Sequence, residues 1–223
     1  MLRQGLRSAW LRQVGTSVCL RRAFTAPVTP SQLPISATKY DLDAIGHLAD
    51  ASVLASRGDT MVHVAVTYSD ADEGSRGLGL PLKVDYRDRQ YAHRKIPMNW
   101  NRRERNGSDP EILAARVVDR ALRPLFPKGL RVAPQVLLTS HAVDGVIDPV
   151  ALAVNAASMA LLKSSIPWGM GTLLEGPDAH TPSSSAMPVG CVRVGMLDGE
   201  LVLDPDMQRL DLSVLDLLYA GTE

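Results

Sequence analysis

Apolar positions change their period several times along this chain, and each change marks an element. Thr60-Met-Val-His-Val-Ala-Val-Thr67 is rich in β-branched residues and follows Gly58-Asp59, which predicts a strand entered from a turn. Leu80 to Tyr86 predicts another. From Ser108 the period becomes helical. Leu113, Val117 and Ala121, with Ala114, Val118 and Leu122, form a broad apolar stripe, while Arg116, Arg120 and Arg123 follow i, i+4, i+7 on a different face. Ser108 and Glu111 supply a Ser-x-x-Glu capping pattern, Pro110 is tolerated in the first turn, and Pro124 stops the helix. This helix is expected to pack one side on a sheet and show positive charge on the other.

Further along, Gln135 to Val143 predicts a strand ending at the Asp144-Gly145 turn. Asp148-Pro149 opens a second helix, Val150 to Lys163, apolar nearly all round with Ala, Ser and Asn interspersed, so it is expected to be buried and closely packed. Val189 to Leu197 and Glu200 to Leu203 flank Asp198-Gly199, a hairpin signal, and Leu212 to Ala220 is a last strand. Between the second helix and the hairpin, Gly169 to Pro188 is rich in Gly, Pro and Ser and reads as a loop. No internal repeat is visible. Strands, a helix, a strand, a buried helix and a hairpin together predict an α+β or mixed α/β layered domain.

Composition changes this picture mainly through charge. The 223 residues are 45% hydrophobic, enough for a sizeable core, and carry no formal net charge. The distribution is uneven. Residues 1–40 hold six basic groups and no acid, residues 83–131 hold thirteen against six acids, and residues 132–223 hold three against eleven. Met1 to Val14 is arginine-rich and places Leu2, Leu6, Trp10 and Val14 four apart, the form of an organelle transit peptide. Residues 1–30 are therefore expected to be such a peptide, for the mitochondrial matrix first and a plastid second; a disordered basic tail is the plain alternative. Residues 31–39 continue a linker begun at Pro27, and structured sequence is expected from Tyr40. Cys19 and Cys191 lack metal-ligand spacing and are expected to be free thiols. No apolar run approaches the roughly 20 residues that span a membrane.

The basic middle carries the candidate chemistry. Trp100, Asn101, Arg102, Arg103 and Arg105 form a loop able to bind phosphates by charge-assisted bonds and to stack one base on an indole. A solvated charged loop is the plain alternative. Arg116, Arg120 and Arg123 offer RNA, phosphate or subunit contacts, but Asp119 lies within helical reach and can take them in intrahelical pairs. His63 reads as a packed or exposed strand residue, and His93, in the basic segment, as a loop residue that could touch RNA. His141 with Asp144 and Asp148 suggests a metal cluster only until turn and capping duties are considered. Asp198, Glu200, Asp204 and Asp206 read as acids solvating a hairpin. Gly74 to Gly79 lacks the Lys-Ser/Thr of a phosphate-binding loop.

From Leu82-Lys-Val-Asp-Tyr-Arg87 through Lys95-Ile-Pro97, Arg102-Arg103-Glu104 and Glu111 to Pro127, the chain resembles the polynucleotide phosphorylases, specifically the first of their two RNase PH-like cores. Ala142 to Val146, Asn155 to Ser158, Ser165 to Trp168 and Leu217 to Thr222 extend the likeness across residues 40–223. The resemblance implies the RNase PH fold (ribosomal protein S5 domain 2-like), an α/β sandwich of the α+β class, incomplete here at its C-terminal end. It implies 3′-to-5′ phosphorolysis of RNA with inorganic phosphate as co-substrate, a homotrimeric ring, and Mg2+ held outside this chain. Catalytic residues are expected in a second core, followed by KH and S1 modules, so the isolated chain is expected to be weak or inactive. Trp100, Asn101, Arg102 and Arg103 match the family's RNA-contacting loop. Bacterial relatives place two aromatics before the arginine pair, and here Asn101 replaces the second. Residues 46–60 are also shorter than the family's first hairpin, and the 169–188 loop is longer. A non-catalytic RNA-binding or assembly subunit of the same fold is the alternative. A single-core RNase PH or exosome subunit is a third reading, against which the Arg-Pro-Leu-Phe-Pro ending of the helix argues.

Overall fold

A computed structural model describes residues 37–70, 80–98, 100–104, 107–127, 130, 132–169, 187–197 and 199–222. The expected transit peptide, most of the linker and the 169–188 loop, Cys19, Arg105 and Asp198 lie outside these residues. Two sheets form the body. Strands β1 (Lys39–Leu42), β2 (Ala51–Arg57) and β3 (Thr60–Asp70) run as an antiparallel meander, with the two-residue turn Gly58-Asp59 joining the last pair. Strand β4 (Lys83–Asp88) leads through helix α1 (Asp109–Leu122) to β5 (Val132–Ala142), which lies parallel to β4 and antiparallel to β3. The sheet order is β1-β2-β3-β5-β4, so β4 is an edge strand. After helix α2 (Pro149–Lys163), strands β6 (Gly190–Leu197), β7 (Glu200–Leu203) and β8 (Asp216–Gly221) form a second sheet ordered β7-β6-β8, with a one-turn helix α3 (Met207–Leu210) before β8.

Register explains which side chains face the helices. Val53, Val64, Leu138 and Tyr86 form one row across four strands, and Ala51, Val66, Val136 and Val84 form the next. Alternation places both rows on one face, where they join Val118 and Leu122 of α1 and Val154 and Leu161 of α2 in the core. Burial of this set drives folding at about 25 cal/mol per Å² of apolar surface removed from water. The Tyr86 hydroxyl meets Ser140 Oγ at 2.9 Å within that core, so burial does not leave either group unpaired. Helix α2 touches β2 and β3 on one side and β6 on the other. A helix between two sheets has no outward stripe, which is why Ala153, Ala156, Ala157 and Ala160 are all inaccessible.

Four sequence expectations need revision. The apolar stripe on α1 is narrower than expected. Ala114, Val118 and Leu122 are buried, but Leu113 is 61% exposed and Val117 is also exposed, because α1 packs mainly on β4 and α2 and its other side is left open. Strands β1 and β2 had no signature of their own: Ala51 to Ala55 are buried without interruption, which erases the alternation a half-exposed strand shows. The final strand starts at Asp216, and Leu212 and Val214 before it are exposed. Asp204 does not merely solvate the hairpin. It accepts Arg57 Nη1 at 2.7 Å and the Arg193 N–H at 3.0 Å, tying the second sheet to β2.

Candidate nucleic-acid interface

The edge strand β4 delivers the chain to the basic segment. After Asp88 a 3-10 turn, Gln90–His93, ends on Arg94 in the left-handed region (φ 59°), and the chain turns outward. Met98 and Trp100 then stand almost fully exposed, at 98% and 95%. Exposed apolar side chains rimmed by charged residues are a feature of binding surfaces. Arg102 and Arg103 are exposed beside them, and Arg102 also has positive φ (49°). For a residue with a Cβ that conformation costs about 1–3 kcal/mol, so the surrounding bonds must hold it. One such bond is local: Asn101 Oδ1 accepts the Arg103 N–H at 3.2 Å. The residue that replaces the expected second aromatic thus shapes the turn carrying the arginine pair.

Acids in this region are committed to the scaffold. Glu104 Oε1 accepts the Gln90 N–H at 2.6 Å, and its Oε2 lies 3.3 Å from Arg89 Nη1. Glu111 Oε1 accepts the Asp88 N–H at 2.7 Å while Oε2 accepts the Ser108 N–H at 2.5 Å, the acid half of the expected capping box. His93 Nε2 meets Asp88 Oδ2 at 2.8 Å. A concave surface of about 1240 Å³ lies over these groups, lined by Arg87, Arg89, Arg94, Lys95, Trp100 and Arg103 among others. A second depression beside it is lined by Tyr91, Arg102 and Arg103. Cations and an aromatic therefore surround a groove in which Glu104 and Glu111 are held by main-chain N–H groups, while Asp88 keeps one buried oxygen without a partner among the described residues, an arrangement suited to a sugar-phosphate backbone. Sequence reasoning did not single out Arg94 and Lys95; the signal was the density of basic residues from Arg87 onward.

The helix arginines do not act as a group. Arg123 is held by Asp119 through Nε at 3.0 Å and Nη2 at 2.7 Å, and it donates to the carbonyls of Leu80 and Leu82 at 2.9 and 3.4 Å. The Asp119 hydrogen bond raises its pKa further. With most of its donors turned to Asp119 and to the chain just before β4, Arg123 acts as a structural clamp, which leaves little of it for the RNA or phosphate contact expected there. Arg116 and Arg120 are exposed and make no ion pair among the described residues. Arg116 lines a separate hollow between β4 and α1, with Lys83 and Arg87.

The remaining polar candidates have structural partners. Asp144 accepts the N–H groups of Val146 and Ile147 at 2.7 and 3.0 Å, and Asp148 caps α2 by accepting the Val150 N–H at 2.9 Å. Asp148 also pairs with Arg193 at 3.1 Å. His63 meets Ser52 Oγ at 3.0 Å, and His141 Nδ1 meets the Tyr91 hydroxyl at 3.2 Å. Burial, and then the neighbouring His63, hold the His141 pKa below the usual imidazole value. Among the described residues no group of three or more His, Cys, Asp or Glu is placed to hold a metal ion. No helix among them is long and apolar enough to cross a membrane.

Residues 41–167 match the family described as the 3′ exoribonuclease family, domain 1. The chain belongs to that family. It is 42% identical over 184 residues to the polyribonucleotide nucleotidyltransferase of Halothermothrix orenii, a match covering 82% of this chain and 23% of that protein. It is 42% identical over 176 residues to the enzyme of the same name from Chloroflexus aggregans, covering 78% of this chain and 21% of the relative. The corresponding Methylacidiphilum infernorum protein is 37% identical over 185 residues, covering 82% and 24%. The chain therefore spans about a quarter of the length of these relatives. Among solved structures it is similar to rice Rrp46, with a TM-score of 0.62 at 15% identity over 88% of this chain and 78% of that one. It is also similar to the Archaeoglobus fulgidus exosome with RNA bound to the active site, with a TM-score of 0.59 at 16% identity over 85% and 74%. At such identities the structural likeness speaks for the fold, the RNase PH-type α+β sandwich expected from the sequence.

Proposed function

We propose that this chain is the RNA-channel and trimer-building first core of a polyribonucleotide nucleotidyltransferase, an enzyme that removes nucleotides from RNA 3′ ends by phosphorolysis. The observation that carries this reading is the groove beside β4, where exposed cations and Trp100 stand around Glu104 and Glu111, two acids bonded to main-chain N–H groups of the scaffold. In phosphorolysis an oxygen of inorganic phosphate attacks the terminal phosphodiester, the neighbouring 3′ oxygen leaves, and a nucleoside diphosphate is released. Charge stabilisation and alignment do most of the work in such transfers. This chain contributes alignment: Arg102 and Arg103 hold backbone phosphates and Trp100 stacks on a base, while bond cleavage is assigned to a second core. The magnesium ion expected of the family is assigned, like bond cleavage, to that second core. The arginine-rich, acid-free segment 1–30 supports delivery to the mitochondrial matrix, with residues 40–223 forming the first core.

The test is single-stranded RNA binding across a salt series. Replacing Arg102 and Arg103 with Ala is expected to weaken binding at least tenfold and to flatten the dependence of log K on log salt by about 0.7 for each phosphate no longer neutralised. Unchanged affinity and slope overturn the site. A phosphate-dependent exonuclease assay on the purified chain is expected to show little or no diphosphate release, and robust release overturns the division of labour between two cores.

A further inference from the structure

We propose that Glu104 is a positioning residue for nucleic-acid binding, a latch that sets where the arginine pair stands relative to the sheet. The inference rests on the functional reading above and gives Glu104, there only an acid held by the scaffold, a part in binding. Glu104 follows Arg103 directly, in the midst of the basic segment, where a carboxylate repels the very phosphates its neighbours attract. Its geometry shows what offsets that repulsion. Oε1 takes the N–H of Gln90, the first residue of the 3-10 turn that leaves β4, and Oε2 faces Arg89. These two bonds join the far end of the loop to its near end, across fourteen residues of chain. Arg102, two residues before the latch, is held in the left-handed region. A conformation of that kind persists only where its surroundings fix it. Glu111 makes the equivalent bond to the Asp88 N–H from the first turn of α1. Two carboxylates thus bracket the loop and both fasten it to the residues that end β4.

Charge and position predict opposite signs, which makes the idea testable. If Glu104 acts only as a negative charge, removing it tightens RNA binding. If it acts as a latch, Glu104→Ala weakens binding even though the surface becomes more positive. Glu104→Gln, whose amide oxygen can still accept the Gln90 N–H, then stays close to wild type. The experiment measures a labelled single-stranded oligoadenylate on the full 223-residue chain, with deuterium exchange of the peptide containing Gln90 as the second readout. The latch predicts about fivefold weaker binding for Glu104→Ala, the factor that one hydrogen bond represents. It also predicts faster exchange at Gln90 in that variant and neither effect in Glu104→Gln. Binding by Glu104→Ala that equals or exceeds wild type overturns the proposal, as does an equal loss in both variants. If Glu104→Ala fails to fold, slow exchange at Gln90 in Glu104→Gln supports the latch and fast exchange there overturns it. The arginine double variant separates the two levels. A wild-type chain that ignores RNA, or is unaffected by removing Arg102 and Arg103, sinks the functional reading; weakening there with none in Glu104→Ala sinks the latch alone.

Discussion

Helices α1 and α2 are nearly the same length and touch one another, yet they obey different rules. Helix α2 has a sheet on each side, so every face is interior and small residues let the layers close on it. Helix α1 has β4 and one flank of α2, so roughly half its surface is left over. That surplus carries Ile112, Leu113, Arg116, Val117 and Arg120 in the open. Position in the layer stack, rather than helix propensity, decides which helix is available to bind something else.

The largest effect that sharpens this contrast is a cavity test. Leu161→Ala in α2, where the side chain is 1% exposed, is expected to cost about 2–5 kcal/mol. Leu113→Ala in α1, at 61% exposure, should stay within about 0.5 kcal/mol. Urea denaturation of both variants measures the difference, and similar midpoint shifts would erase the distinction between the helices.

A smaller effect separates the arginines of α1 from each other. Arg123→Ala is expected to lose about 1–3 kcal/mol, since two backbone carbonyls and Asp119 lose their donor. Arg116→Ala should leave thermal stability nearly unchanged. Arg123→Lys should recover little, because an ammonium cannot span the same fork of acceptors. Equal melting temperatures for the Arg123→Ala and Arg116→Ala chains would refute the clamp.

Smallest in energy, but sensitive to opening, is the seam between α2 and β6. Asn155 closes it by accepting the Cys191 N–H at 2.6 Å and donating to the Cys191 carbonyl at 3.0 Å. Burial, reinforced by Asp148 and Asp204, pushes the Cys191 thiol up to about 12, so it stays protonated and unreactive at neutral pH. Iodoacetamide at pH 8 should label Cys191 only once the protein unfolds, as peptide mass spectrometry would show. Rapid labelling in the native protein would mean that α2 is not closed in.

Helix α2 was legible in the sequence because an all-round apolar segment after Asp148-Pro149 has few other destinations, and the cap and burial follow from it. Helix α1 was legible at its Ser108–Glu111 start but not in its width, which depends on how many neighbours the layers supply. Strand β2 escaped because Ser52 and Leu54 are buried along with Ala51, Val53 and Ala55, leaving no period to read. The arginine pair and Trp100 could be picked out by residue type. Arg123 could not be sorted from Arg116, because the deciding acceptors are carbonyls about forty residues upstream. Glu104 escaped for the same reason: its partner is a main-chain N–H, which sequence does not display.

The border of the first sheet has one more consequence. A parallel border strand offers bare main-chain donors and acceptors to any passing polypeptide. Here Arg123 covers the oxygens of Leu80 and Leu82 near the start of β4, and Glu111 covers the Asp88 amide at its end. Charged groups at opposite ends of one helix therefore act as a guard rail against edge-to-edge stacking of copies. Removing the helix would take away that rail together with the core residues Val118 and Leu122, leaving the border open to edge-to-edge pairing.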